Sequence, residues 1–220
     1  MEFILCILIF DLIIKHLNKM NKFLITIVVL LCISCNSDDD GSNANPEAEV
    51  VAQLQGTWIS SETTVFPIAD PDSPFAQAYL DEFFVFDGET NRIRSTAYAD
   101  EALTQPILVY ESVGPFTILR ESDLYEETWE ADFGNTSQTL ELLTSDPEIL
   151  NVFGFENCGI TETGIVYNIN EGCSIFPGID DCIERDIIQV SNGRLRFGVR
   201  TEDICEVRVT VLQDKFYTKQ

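Results

Sequence analysis

From residue 56 onwards the sequence alternates short strand-like segments with turn residues, and this alternation restricts the fold more than any other feature. The strongest turn signal is SNG at 191–193, and DGETN at 87–91 predicts another hairpin. Glycine pairs with Pro or Asn at 114–115 and 134–135, and we predict two further hairpins there. About ten to twelve strands fit between such signals, with one short helix at 47–55 before them. The pattern predicts a single antiparallel all-β domain, either a barrel or a sandwich.

The N-terminal 34 residues have the composition of a targeting segment. Lys22 precedes an apolar run at 23–33, and the small residue Ser34 follows directly before Cys35. The run is too short for a comfortable spanning helix, which needs about 20 residues. A second apolar stretch at 1–19 is interpreted as an unused upstream start, or as the first half of one long signal-anchor. We therefore predict that residues 1–34 are a signal peptide.

The sequence around Cys35 resembles the lipobox of bacterial lipoproteins. CISC at 32–35 places a small residue before the cysteine, and an acidic run follows it, consisting of Ser37, Asp38, Asp39 and Asp40. This run resembles the export signal of Bacteroidetes-type surface lipoproteins. The resemblance implies cleavage before Cys35, attachment of a diacylglycerol to its sulfur, and an outer-membrane protein exposed at the cell surface. The alternative is a signal peptide that is cut elsewhere.

Cleavage before Cys35 would leave an acidic tether at 35–46 and a β domain at 47–220, which is long enough for a real core. The whole chain has a formal net charge of −24. Such a charge repels phosphate backbones, so we predict no binding to nucleic acid.

The predicted mature chain lacks most catalytic side chains. His16, the one histidine of the sequence, lies in the signal segment, which removes Ser-His-Asp and Cys-His schemes and any His-ligated metal. We predict no cofactor, no metal and no enzymatic activity. EADFGN at 130–135 partly follows the ExDxxE pattern of laminarinase-like glycosidases, but Asn135 occupies the place of the general acid. Lys215 and Lys219 are expected to be solvated.

Four cysteines follow Cys35 in the sequence: Cys158, Cys173, Cys182 and Cys205. An even number in an exported chain predicts two disulfides, for which three connectivities are allowed. Cys173 and Cys182 bracket a loop with a Pro-Gly turn, which favours a bridge between them and leaves Cys158 with Cys205 by elimination.

The segment LQGTW at 54–58 resembles the GxW opening of lipocalins. In that family a short helix closes the base of the barrel and the tryptophan begins the first strand. The resemblance implies these roles for Gly56 and Trp58. It also implies an arginine near the last strand that packs over the tryptophan, for which Arg208 is the candidate.

Three arginines in the segment after the strongest turn form a basic stripe. Arg194, Arg196 and Arg200 alternate with apolar residues and therefore share one face of an extended strand. If that face lines a cavity, the stripe would select an anionic or hydroxyl-rich ligand. Alternatively, the stripe faces solvent and pairs across strands with carboxylates, namely Glu184, Asp186 or Glu206.

Together these patterns predict an outer-membrane lipoprotein with one lipocalin-like antiparallel barrel that binds a small apolar or amphipathic ligand without catalysis. The alternative is a β-sandwich accessory module that binds glycan or a protein partner. The expected partners are the membrane, through the lipid anchor, and a small hydrophobic ligand or glycan.

Overall fold

The computed structural model describes residues 45–68, 77–200 and 203–220. Cys35 and the acidic run at 37–40 lie outside the described residues, so the lipobox and export signal remain predictions. Among the residues that are described, no helix is both long and apolar enough to cross a bilayer.

The described chain begins with a short helix, α1, from Pro46 to Leu54. Asn45 caps it, because its side-chain oxygen accepts a hydrogen bond from the backbone N–H of Glu47 at 3.2 Å. Val50 and Leu54 are buried against the barrel core. The indole Nε1 of Trp58 donates to the carbonyl of Leu54 at 2.6 Å, which fixes the end of the helix to the first strand. The predicted helix before the first strand is confirmed.

Eleven strands follow in the described ranges, together with a second helix, α2 (Pro147–Phe153), and a 3₁₀ turn (Phe155–Cys158). The strands are β1 (Gly56–Ser60), β2 (Thr64–Pro67), β3 (Gln77–Asp87), β4 (Thr90–Tyr98), β5 (Pro106–Glu121), β6 (Thr128–Phe133), β7 (Ser137–Leu142), β8 (Val166–Asn168), β9 (Glu184–Ser191), β10 (Arg194–Phe197) and β11 (Tyr217–Lys219).

Eight of these strands form a closed antiparallel barrel. Their order around the ring is β1, β3, β4, β5, β6, β9, β10 and β11, and β11 pairs back to β1. Since this order follows the chain, the barrel is of the up-and-down type. The prediction of a single antiparallel barrel is confirmed, and the sandwich alternative is wrong.

The remaining strands extend the wall beyond the ring. β2 continues the line of β1 along the same edge of β3, and β7 continues the line of β6 along β5. β8 then pairs with β7. Above the closed ring, the wall is therefore a curved sheet in the order β2-β3-β4-β5-β7-β8.

Two of the four predicted hairpins are wrong. Residues 114–115 lie inside β5, and the chain continues along β5 after residue 134 instead of reversing. Gly114 allows a close backbone approach. A Cβ on Gly114 would collide with the carbonyl of Gly134 and would lie 2.7 Å from the Cα of Asn135. The turns at 87–91 and 191–193 are confirmed, because they connect β3 to β4 and β9 to β10.

The core has two parts. The first, here called the aromatic plug, fills the closed ring above α1. Most of its rings contact each other edge-on or tilted, as in the pair Phe84 and Phe197 at 4.6 Å between centroids, whereas Phe116 and Phe133 are stacked. The buried members of the plug are Val50, Leu54, Trp58, Phe84, Phe86, Phe116, Ile118, Ala131, Phe133, Ile188, Leu195, Phe197 and Tyr217. The second part packs α2 and the segment after it against β5 and β7.

The two disulfides join Cys158 to Cys173 and Cys182 to Cys205. Two bridges were predicted correctly, but the expected pairing of Cys173 with Cys182 is wrong. Cys173 and Phe176 exchange backbone hydrogen bonds of 2.9 Å, so the loop reverses before it reaches Cys182. Cys182 instead precedes β9, where the N–H of Arg185 donates to the carbonyl of Ile204 beside Cys205.

Candidate functional site

A cavity of about 690 Å³ lies within the extended part of the wall, next to the aromatic plug. Its wall consists of inward side chains of β3, β4 and β5 in cross-strand rows. One row is apolar and contains Leu80, Ala97 and Leu108. The next row is polar and contains Glu82, Ser95 and Tyr110, while the row after that contains Phe84, Ile93 and Ser112.

The loop that follows the Cys158–Cys173 bridge also lines the cavity. Its Phe176 ring stacks on Tyr110, with 4.5 Å between centroids and 11° between the planes. Phe153 of α2 and Ile175 of the same loop add apolar surface. The disulfide therefore holds a strand-free segment in place against the cavity.

An ion pair between Glu82 and Lys215 lies in the polar part of the cavity. The Lys215 side chain is only 9% exposed, and its Nζ lies 2.5 Å from Oε2 of Glu82. Lys215 also donates to the hydroxyl of Thr64, which donates in turn to Oε2 of Glu82 at 2.5 Å. Burial by itself would raise the pKa of Glu82, but the ammonium group and these hydrogen bonds hold that pKa below its ordinary value. Glu82 is therefore a carboxylate at neutral pH.

A second charged group contains Arg200, Glu184 and Asp186. The Nη2 of Arg200 lies 3.1 Å from Oε2 of Glu184 and 3.3 Å from Oδ2 of Asp186. Asp186 is fully buried, and its Oδ1 accepts hydrogen bonds from the N–H groups of Ile187 at 2.7 Å and Gly198 at 2.8 Å. Burial raises the pKa of Asp186, although Arg200 and the two N–H groups favour its ionised form.

Two tyrosines beside these charges stay neutral. Desolvation raises the pKa of Tyr110 to about 12. It also raises the pKa of Tyr217, and the nearby carboxylate of Glu82 adds to that increase. The cavity therefore offers apolar walls, neutral hydroxyls and paired charges, which together suit an amphipathic molecule. Within the described ranges, no group of three or more His, Cys, Asp or Glu residues is placed to hold a metal ion.

The predicted basic stripe is split between the two faces of the wall. Arg200 lines the cavity, whereas Arg194 lies over the ring of Phe216 at 4.4 Å and Arg196 donates to the carbonyl of Gln213 at 2.8 Å. Leu195, which lies between Arg194 and Arg196, is in the aromatic plug, so these two arginines project outward. β10 ends at Phe197, so the alternation does not extend to Arg200. The expectation that the three share one face is wrong.

Gly56 and Trp58 stand at the predicted start of the barrel. Gly56 has φ +111°, a backbone conformation that favours glycine, and Trp58 is 1% exposed in the plug. The cation over the tryptophan ring, however, is Lys219, with its Nζ 5.5 Å from the ring centroid. The role expected for Arg208 at this ring is therefore wrong.

Arg208 instead binds the outer face of β6. Its Nη2 lies 2.5 Å from Oδ1 of Asp132, and its Nε lies 3.4 Å from Oε2 of Glu130. Its Nη1 donates to the backbone carbonyls of Ala131 and Asp186. The carboxylates at 130 and 132 are therefore engaged in ion pairs on this face of the barrel.

Glu82 was not among the predicted site residues, and the prediction that Lys215 is solvated is wrong, because its side chain is only 9% exposed. The sequence does indicate the position of Glu82, because Glu82, Phe84 and Phe86 are spaced two residues apart in one predicted strand and therefore lie on the same face. Since those phenylalanines face the core, Glu82 must face inward as well. Lys215 has no comparable signal, because it lies in an irregular segment before β11.

No protein-family model matches this sequence, and no curated protein matches it significantly. The cavity and its charged groups are therefore the features from which a function can be inferred.

Proposed function

We propose that this protein is a lipid-anchored lipoprotein of the outer membrane that binds a small apolar or amphipathic molecule in its barrel without catalysis. The single observation that carries the proposal is the cavity of about 690 Å³, which falls within the usual range for small-molecule sites, about 300–1,000 Å³.

The lining of the cavity supports binding of a molecule with an apolar part and a polar end. Leu80, Ala97 and Leu108 form an apolar wall, and Phe153 and Phe176 lie among the other lining residues. Burying an apolar ligand group here would contribute about 25 cal/mol for each Å² removed from water.

The charged groups support a binding role rather than a catalytic one. Lys215 is bound to Glu82, and Arg200 is shared by Glu184 and Asp186. A general acid or base works best when its pKa lies near the operating pH, whereas the pKa of Glu82 is lowered further from neutrality. These pairs give the cavity a fixed polar end.

Native mass spectrometry tests the binding proposal. Residues 36–220, which lack the cysteine proposed to be lipidated, are exported to the periplasm behind a signal peptide that does not depend on a lipobox and are purified without detergent. We expect an adduct of a few hundred daltons that is lost on denaturation. Leu80→Trp places a larger side chain in the cavity and should remove the adduct. Ile59→Trp changes an exposed residue of β1 and should leave the adduct in place. A mass without any adduct in the unaltered cavity would contradict the proposal.

The anchor is proposed from the sequence around Cys35. Metabolic labelling with a radioactive or clickable fatty acid should mark the protein, and Cys35→Ala should abolish the label. Cys32→Ala, three residues earlier, is the matched control and should retain it. A label that persists on the Cys35→Ala protein would contradict the anchor.

A further inference from the structure

We propose that the cavity selects a cationic amphiphile, whose ammonium group binds the carboxylates of Glu184 and Glu82 while its apolar part lies against Leu80, Ala97 and Leu108. This inference rests on the proposed function, since it requires that the cavity bind a small molecule. It names the chemical class of that ligand.

Both cations of the cavity are already paired with carboxylates. Lys215 Nζ contacts Oε2 of Glu82 at 2.5 Å and also donates to Thr64. Arg200 Nη2 lies between Glu184 and Asp186, at 3.1 Å and 3.3 Å. An anion that approached either cation would come close to these carboxylates as well. Like-charge repulsion in a partly desolvated site would then oppose its binding.

The carboxylates that line the cavity retain capacity to accept hydrogen bonds. The side chain of Glu184 lines the cavity and is 21% exposed, but its Oε2 is buried beside Arg200 and is closed to a ligand, which leaves Oε1 as the acceptor. Oε1 of Glu82 accepts a long hydrogen bond from the hydroxyl of Ser95, at 3.4 Å. An ammonium group carries three donors and no acceptor, so it complements these oxygens.

The balance of charge in the cavity also favours a cation. The two charged groups together contain three carboxylates and two cations, namely Glu82, Glu184, Asp186, Arg200 and Lys215. The cluster has a net charge of −1 when Asp186 is ionised and of zero when Asp186 is protonated. In neither state does it present excess positive charge to an anion. The net charge of −24 on the chain adds a long-range attraction for cations.

The test compares three probes that share one alkyl chain: decylammonium, decanoate and decanol. Each is titrated by calorimetry at pH 7, below its micellar concentration, into residues 36–220 prepared as for mass spectrometry. Since this chain lacks Cys35, no attached acyl chain competes for the cavity. We expect decylammonium to bind at least about tenfold more tightly than decanoate, with decanol between them.

Two matched substitutions locate the effect. Glu184→Gln removes a charge that lines the cavity, and it should weaken decylammonium about tenfold while leaving decanol unchanged. Glu111→Gln removes the same charge from the pairs with Arg92 and Arg94 and should change none of the three affinities. If Glu184→Gln does not fold, the affinity ratios of the three probes in the unsubstituted cavity still decide the question.

The outcomes separate the two proposals. Decanoate that binds as tightly as decylammonium, or more tightly, overturns the selection of cations and leaves the proposed function standing. Equal losses in Glu184→Gln and Glu111→Gln would attribute the preference to net charge and overturn the assigned site. Failure of all three probes to bind overturns both proposals.

Discussion

Gly114→Ala tests the close contact between the backbone of β5 and the connection from β6 to β7. Gly114 lies within β5, and a methyl group there would lie 2.7 Å from the Cα of Asn135 and from the carbonyl carbon of Gly134. Both atoms belong to the backbone, so neither can rotate away as a side chain could. The β5 strand or the β6–β7 connection would have to shift.

The expected cost follows from this geometry. Overpacking a well-packed interior typically costs about 1–3 kcal/mol, and a clash with backbone belongs at the upper end of that range. We therefore expect the free energy of unfolding to fall by about 3 kcal/mol. Gly134→Ala is the matched control, because its added methyl group would meet Pro115 Cγ at an ordinary 3.5 Å. Alanine also restricts the unfolded chain, so Gly134→Ala should change the stability by less than about 1 kcal/mol.

Urea denaturation followed by tryptophan fluorescence measures both variants. Trp58 and Trp129 are the reporters, and both disulfides are kept oxidised. A Gly114→Ala protein that is as stable as Gly134→Ala would refute the close passage of the two backbones. Equal and large losses in both variants would refute the assignment of the clash to the Gly114 side.

Three further predictions concern the ion pair and one disulfide. Lys215→Met leaves the Glu82 carboxylate without its cation, so we expect a loss of about 3 kcal/mol in urea denaturation, part of which Glu82→Gln should restore in the double variant. Although desolvation opposes the shift, Lys215 lowers the folded-state pKa of Glu82 below 4.5. The pair therefore stabilises the protein above pH 4.5, and that stability is lost as the pH falls through the lowered pKa. Melting temperatures measured from pH 6 down to pH 2 should therefore fall less steeply in Lys215→Met, and an unchanged slope would contradict this coupling. Replacing both Cys158 and Cys173 by alanine should cost about 3 kcal/mol, and a peptide that joins Cys173 to Cys182 in a non-reducing digest would contradict the pairing.

The two hairpins that were predicted correctly depend on local chemistry. Asn192 has φ +52° and Gly193 has φ +69°, which is the backbone conformation that an Asn-Gly turn requires. Gly88 has φ +60° in the turn between β3 and β4. Because such conformations restrict the residue type at the turn itself, they leave a signal in the sequence.

The two incorrect hairpins show where a local signal fails. In a turn, glycine is needed because its backbone can adopt positive φ. Where two strands pass close to each other, it is needed because it has no side chain. Gly114 has the second role, since a Cβ on it would collide with the carbonyl of Gly134. The sequence contains the same residue in both cases, and only the contact between distant segments distinguishes them.

The sequence likewise indicates the position of one charged residue of the cavity but not of the others. Alternation of side chains along β3 is sufficient to place Glu82 on the same face as Phe84. Lys215 reaches the same site from a segment 133 positions away in the sequence, so its burial depends on closure of the barrel. Arg200 enters the cavity because β10 ends before it, which residue alternation did not indicate.

By itself, then, the sequence determined the all-β class, the short first helix, two of the hairpins and the presence of two disulfides. These features depend on neighbouring residues, on alternation and on the number of cysteines. The tertiary structure decided which cysteines pair, which arginine lines the cavity and which cation lies over Trp58. The reason is that these contacts join residues far apart in the chain, and their distances are set only when β11 pairs with β1 and closes the ring.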